Sequence, residues 1–336
     1  MTNKLKLIPH SKPYISPFSL YFLMRAFLSR RFSQDYFSAR FQDKLAGLFK
    51  RNKCIFTNSG TSALHLLIAE LISSKKREVV LLGYSCCDIS DAIILAGGEP
   101  IFINSSFSEM VSDCLIKRYL SRNTAAIIIQ HTFGKLVYID RLEEYNIPII
   151  EDCTHSLCPV YQNSYVVASF GSTKLLTAAE GGGIFLNDKM RWQQLTNRMK
   201  TSPRLPYRES NLHLAILEGQ LISLKHIVRK RNRIAQIYND YLREIKDIQI
   251  PDLVDYSVVY RYVILFKDTN KASRYLDYMH SKKVACEKPI DPSATALQLS
   301  KIQNDYNRII SLPIYPSLSR RQIKKIINYT LNFERR

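Results

Sequence analysis

The sequence predicts an α/β protein built on a mostly parallel sheet, and three observations carry that expectation. First, seven short runs of β-branched and other apolar residues recur over the first two thirds of the chain: CIFTN (54–58), EVVLLGYS (78–85), EPIFINS (99–105), AAIIIQH (125–131), IPIIEDC (147–153), YVVASFGS (165–172) and GGIFLND (182–188). Second, segments of helical period lie between several of them, notably TSALHLLIAELISS and DAIILAGG. Continuous Val/Ile/Leu runs spaced by amphipathic helices describe strands covered on both faces, with right-handed crossovers. Third, the pattern changes from about Asn211, where a long helical stretch, LHLAILEGQLISLKHIVRKRNRIAQIYNDYLREI, leads into a smaller α+β piece. That piece reads as a strand (YRYVILFK), a helix (ASRYLDYMHSKK), a strand (VACEKP) and a terminal helix (SLSRRQIKKIINYTLNF) opened by a serine cap.

The expected division is a large domain over residues 1–210, its first 40 residues forming an N-terminal arm or helix. The long connecting helix and a small C-terminal domain follow over 211–336. With 336 residues and 46% hydrophobic content, the chain can bury a large core. No apolar run reaches the roughly 20 residues that span a bilayer, and the N-terminus lacks the order of a secretory signal. The seven cysteines have neither zinc nor redox spacing, so free thiols in a reducing cytoplasm and no metal site are expected. The formal charge is +19, and residues 1–60 carry eleven Lys and Arg against Asp35 and Asp43. Such an excess attracts polyanions, yet no nucleic-acid-binding signature accompanies it. PFSLYFLMRAFLSRRF (17–32) mixes large apolar residues with Arg, which suits a helix packed on the body or a partner subunit, or weak contact with an anionic membrane surface.

In open parallel sheets ligands bind at the carboxyl ends of the strands, and three such ends carry unusual residues. CIFTN runs into Ser59-Gly60-Thr61-Ser62 and then a helix, IPIIEDC ends in Glu151-Asp152, and YVVASFGS leads to Lys174 among small and hydroxylated residues. Each has a plain structural alternative: a turn with a helix cap, a surface carboxylate, an exposed lysine. Read together they describe a phosphate cradle at a helix N-terminus, a carboxylate for a protonated ring nitrogen, and an amine poised to form a Schiff base. Those are the parts of a pyridoxal phosphate site. Small residues near Lys174 leave room for the ring, and the glycines after Glu180 are expected to let the backbone pass beside it.

The ordered segments NSGTSALHL, GYSCCDISDAIILAGGEPIFINSS, HTFGKLVYIDRLEEYNIPIIEDCTHSL, SFGSTKLLTAAEGGGIFLND and IISLPIYPSLS resemble the DegT/DnrJ/EryC1/StrS aminotransferases from about residue 40 to residue 330. The resemblance implies pyridoxal phosphate-dependent transferase fold type I, with a mostly parallel seven-stranded sheet plus the smaller C-terminal α+β domain. It implies that Lys174 forms the Schiff base, that Asp152 pairs with the pyridinium nitrogen, and that Gly60, Thr61, Ser62 and Ser169 surround the phosphate. His155 falls where the family has Gln or His near the cofactor's phenolic oxygen. Relatives that remove a sugar hydroxyl have histidine at the lysine position, so Lys174 implies amino transfer, from a donor such as glutamate to a nucleotide-linked keto-sugar. A cytoplasmic homodimer with shared sites, serving bacterial surface polysaccharide or glycoconjugate synthesis, is the matching expectation. Two positions depart from the family: Cys86 stands where an aromatic residue stacks on the ring, and Pro206 where an Asn reaches the partner's phosphate; either Arg204 or Arg208 supplies that contact or it is absent. The alternatives are a same-family enzyme acting on a cyclitol-like ketone, or a non-catalytic basic scaffold.

Overall fold

The computed structural model describes residues 7–30, 39–107, 109, 111–201 and 207–334. Two helices, α1 (Pro17–Leu28) and α2 (Ala39–Leu48), precede one large sheet. Its strands are β1 (Lys53–Thr57), β2 (Glu78–Leu82), β3 (Glu99–Ile103), β4 (Thr124–Gln130), β5 (Ile149–Asp152), β6 (Tyr165–Ser169) and β7 (Gly182–Leu186), in the order β1-β7-β6-β5-β4-β2-β3. All seven expected runs are present. β2 to β6 pair in parallel, and β7 alone runs antiparallel to its neighbours β1 and β6. The carboxyl ends of the other six strands therefore share one edge. The helices α3 (Gly60–Leu71), α4 (Cys87–Leu95), α5 (Asp113–Lys117) and α6 (Lys189–Thr201) connect or follow these strands. Every residue of β4 and β7 is buried, as a sheet covered on both faces requires.

The helix α7 (Asn211–Leu242) joins two cores. Leu214, Ala215 and Leu217 near its start pack with Phe170 and Phe185 of the large sheet, while Ile234, Tyr238 and Leu242 near its end pack with Tyr262 and Ile264 of a second sheet. That second sheet is antiparallel, with strands β8 (Ile248–Gln249), β9 (Tyr262–Phe266) and β10 (Ile309–Leu312) in the order β10-β9-β8. Helices α8 (Thr269–Ser281), α9 (Ala294–Leu297), α10 (Ser300–Arg308) and α11 (Arg320–Glu334) complete this part. At the start of α11 the Ser319 hydroxyl accepts from the Gln322 N–H (3.3 Å), and the Gln322 side chain accepts from the Ser319 N–H (3.0 Å). This reciprocal pair is a capping box.

The segment VACEKP, expected as a strand, forms only isolated bridges, Ile8 with Val284 and Glu287 with Ser311. Lys283 has φ +61° and the Cys286 N–H turns back onto the Val284 carbonyl, so the local backbone curls instead of laddering. The bridge to Val284 draws Ile8 into the core of the second sheet. Within α1, Ser19 and Ala26 are buried and the helix lies along α7. Among the described residues no helix is long and apolar enough to cross a membrane.

Candidate active site

The turn after β1 is fixed by hydrogen bonds before any ligand arrives. Ser59 caps α3: its hydroxyl accepts from the Ser62 N–H and lies 3.0 Å from the Ser62 hydroxyl. The expected Ser62 takes part in this cap, and Gly60 and Thr61 line the neighbouring cavity. A Cβ on Gly60 would stand 2.7 Å from the Ser169 Cβ, so only glycine lets the first turn of α3 meet the end of β6 this closely. The downstream glycines differ from expectation. Ser59 bridges to Gly181, and a Cβ on Gly182 would lie 2.3 Å from the Ser59 carbonyl oxygen. Those glycines let β7 pass against the turn into α3, and none of them lines the cavity.

The cavity has a volume of about 250 Å³ and is open to solvent between the two sheets. Its walls come from the carboxyl ends of five strands, which bring together Gly60 and Thr61, Cys86, Gln130, Asp152 and His155, and Ser169 with Lys174; Tyr260 and Arg261 close it from the other sheet. Asp152 is buried at the end of β5, where it accepts from the Thr154 N–H at 2.9 Å. Thr154 in turn accepts from the Ser169 N–H at 3.1 Å. Hydrogen bonds thus fix the carboxylate relative to the hydroxyl beside α3. Its neighbour Glu151 points to the opposite face of the strand. There it accepts from His131 (2.9 Å), the N–H groups of Val160 and Tyr161, and Ser164, with Arg51 at 3.8 Å. Burial pushes the Glu151 carboxyl up, but the bonds from His131, Ser164 and Val160 outweigh it and hold it below the usual range. Glu151 belongs to the structure and Asp152 to the cavity.

Lys174 sits on a loop pinned at both ends, by Phe170 N–H to Gly181 O and Ala178 N–H to Phe170 O, each 2.7 Å. Its Nζ lies 5.6 Å from the centre of the Tyr260 ring. His155 stacks on the same ring with centroids 4.2 Å apart, and Phe133 lies beyond it at 6.2 Å. The His155 Nδ1 accepts from the Phe133 N–H at 3.4 Å, which leaves Nε2–H as its donor. Burial, then the nearby Lys174 and Arg261 cations, hold this imidazole well below its ordinary pKa, so it is neutral. Burial pushes the Tyr260 hydroxyl up, but Lys174, Arg261, a hydrogen bond with Thr173 and Arg231 together bring it down to about 8.

Cys86 occupies the expected place on the cavity wall. Its thiol donates to Asp88 at 3.5 Å, and burial pushes it up to about 12, so it is a neutral thiol at ordinary pH. Ligand atoms of Cys86, Cys87 and Asp88 lie within 4.8 Å of one another; three ligands, one of them exposed, do not form a closed tetrahedral centre. Pro206 and Arg204 lie outside the described residues, and Arg208 is exposed. Sequence reasoning missed Gln130, Thr154, Thr173, Tyr260 and Arg261. The signal available for the last was an arginine directly before the wholly buried strand YVILF.

These residues fit pyridoxal phosphate. A helix N-terminus with Thr61 and Ser169 offers donors for a phosphate, Asp152 offers an acceptor for a pyridinium proton, and Lys174 offers the amine. The buried Gln130 Oε1, without a partner among the described residues, faces the same space. Fold and site together define a fold type I, pyridoxal phosphate-dependent transferase.

The chain belongs to the DegT/DnrJ/EryC1/StrS aminotransferase family, whose sequence profile matches residues 23–330. It is 24% identical over 323 residues to the GDP-perosamine synthase of Escherichia coli O157:H7, covering 87% of this chain and 88% of that one. Among solved structures, Helicobacter pylori PseC, an aminotransferase involved in the biosynthesis of pseudoaminic acid, superposes with a TM-score of 0.90 at 20% identity, over 98% of this chain and 100% of that one. NtdA from Bacillus subtilis with bound cofactor PMP gives 0.84 at 17% identity, over 97% and 86%. The protein is thus a pyridoxal phosphate-dependent aminotransferase of the DegT/DnrJ/EryC1/StrS family.

Proposed function

We propose that this aminotransferase moves the amino group of an amino acid, with glutamate as the expected donor, onto a keto-sugar carried by a nucleotide. The reading includes a cytoplasmic homodimer that supplies amino-sugars for surface polysaccharide or glycoconjugate synthesis. The observation that carries it is the meeting of Lys174, Asp152 and the α3 N-terminus in one cavity. The sugar-active relatives support the substrate class.

When bound, pyridoxal phosphate supplies an electron sink that stabilises negative charge on the substrate carbon. Each residue then has a defined task. The N–H groups at the start of α3, with Thr61 and Ser169, hold the phosphate. Asp152 keeps a proton on the ring nitrogen, and the neutral His155 donates Nε2–H to the phenolic oxygen. Lys174 Nζ would take up the proton that leaves the substrate carbon, as base, and as the conjugate acid give it back on the other side of the nitrogen being transferred. The basic surface draws in the diphosphate of a nucleotide-sugar.

The test is incubation of the holoenzyme with ¹⁵N-glutamate and a panel of nucleotide-linked keto-sugars and cyclitol ketones, read by mass spectrometry. Label appearing in a nucleotide-sugar supports the proposal. Label appearing in a cyclitol alone overturns it.

A further inference from the structure

A second cavity, of about 320 Å³, opens at the same edge of the large sheet. It lies at the carboxyl ends of β2 and β3 and along the segment after β4, and it shares no lining residue with the cavity of Lys174. The buried Phe133 stands between the two. Its ring centre is 5.1 Å from that of Phe107 in this cavity and 6.2 Å from that of His155 in the other. Leu82, Tyr84, Phe107 and Val137 make an apolar, partly aromatic wall, and the exposed Tyr138 ring stands at the mouth. Ser105 and Thr132 are buried in the lining, and their hydroxyls make no hydrogen bond among the described residues. Buried hydroxyls are normally paired, so these two remain for a bound molecule. Three exposed carboxylates, Glu109, Asp140 and Asp255, surround the opening. Glu109 pairs with Lys301 at 2.7 Å, whereas Asp140 and Asp255 make no ion pair among the described residues. Lys135 is the one cation in the described lining.

We propose that this cavity is a second, non-catalytic ligand site for a small organic ammonium ion with an aromatic body and a hydroxyl at its far end. The proposal goes beyond the aminotransferase reading and does not depend on it. Each part of the ligand answers a feature of the site. In a chain of formal charge +19 an opening edged by two unpaired carboxylates is a local exception, and it favours a cation over an anion such as a nucleotide. The rings of Tyr84, Phe107 and Tyr138 suit an aromatic body and also attract an ammonium group. The hydroxyls of Ser105 and Thr132, deeper in, meet the ligand's own hydroxyl. A bare metal ion fits less well. Among the described residues only Cys86, Cys87 and Asp88 bring three candidate ligand atoms within 4.8 Å of one another, so the carboxylates here are not gathered around one point. The volume is that of a small-molecule site, which begins at about 300 Å³.

The test is calorimetric titration of the holoenzyme with N,N,N-trimethyltyramine, whose quaternary nitrogen cannot form an imine with the cofactor. Two comparison ligands keep the phenol and change the charge: neutral 4-propylphenol and anionic 3-(4-hydroxyphenyl)propionate. The ammonium probe is expected to bind one to one, tighter than both, with the cofactor's absorbance unchanged because the two cavities are separate. Asp140→Asn combined with Asp255→Asn should raise its Kd by roughly 2- to 30-fold, the worth of two exposed charge pairs, and leave the Kd of the neutral phenol near wild type. Added salt should weaken the ammonium probe in wild type and have less effect in this double variant. Ser105→Ala combined with Thr132→Val should weaken the ammonium probe and the neutral phenol alike, by about 5-fold. No binding of the ammonium probe at millimolar concentration overturns the proposal. So does equal affinity for the cationic, neutral and anionic ligands, or an unchanged Kd in the Asp140→Asn, Asp255→Asn variant. Release of the cofactor as the probe binds also overturns it, since the probe would then occupy the cavity of Lys174.

Discussion

His155 shows how burial converts a titratable side chain into a fixed donor. It lies between Phe133 and Tyr260, and its Nδ1 is taken by a backbone N–H. Its pKa in the fold is well below the ordinary 6.5, chiefly through burial. Below pH 6.5 the unfolded chain therefore takes up a proton at this site that the folded chain does not. Stability falls as pH drops through that window, by at most about 1.4 kcal/mol per pH unit for this residue, and the effect is absent above it. Thermal denaturation from pH 7.5 to 5.0 should show this slope, and His155→Asn should flatten it; an equal slope in the variant contradicts the assignment. Asp152 carries the complementary prediction. Asp152→Asn preserves the bond from Thr154 N–H to the side-chain oxygen, so the fold should persist. A neutral amide cannot hold the pyridinium proton, so turnover should fall by roughly 10²–10³. Wild-type rates in steady-state assays would remove that role.

At the scale of elements, the site is a junction of strand ends that glycine brings into contact. Gly60→Ala would press its Cβ against Ser169 at 2.7 Å. The expected cost is about 1–3 kcal/mol, read as a lower Tm, together with weaker cofactor retention on dialysis. An unchanged Tm and unchanged retention would mean that α3 and β6 are not tightly joined there. The same elements explain what was legible in the sequence. The seven strands could be read because each is a continuous apolar run, and Asp152 and Lys174 stood out against such runs. The glycines at 181–183 were recognised as a close-approach signal, but their neighbour, the Ser59 turn, comes from more than a hundred residues earlier. VACEKP has strand composition, yet the backbone at Lys283 and Cys286 breaks the ladder. Tyr260 and Arg261 were hidden for a related reason: only the packing of the second sheet brings them to Lys174.

Over the whole molecule, the most conspicuous surface is the outer face of α1. Phe18, Tyr21, Met24 and Leu28, spaced three to four residues apart, are 50–77% exposed, while Ser19 and Ala26 face the body. An apolar stripe of this size favours a partner surface, and a second copy of the chain is the partner in the proposed homodimer. Sedimentation should give twice the 38.9 kDa chain mass, and Tyr21→Glu combined with Met24→Glu should raise the monomer fraction. A wild-type monomer that instead binds anionic vesicles in low salt would reassign this face to a membrane surface.

The claim on which the account depends is that Lys174 bonds covalently to pyridoxal phosphate. The most direct measurement is the absorbance spectrum of the purified protein reconstituted with the cofactor, before and after excess glutamate, for wild type and Lys174→Ala. The account predicts a visible imine band in wild type that moves to the near-ultraviolet with glutamate, and a variant that shows no protein-bound imine and turns over at least about 10²-fold more slowly. A wild type with no visible band, whose cofactor dialyses away freely, would contradict it.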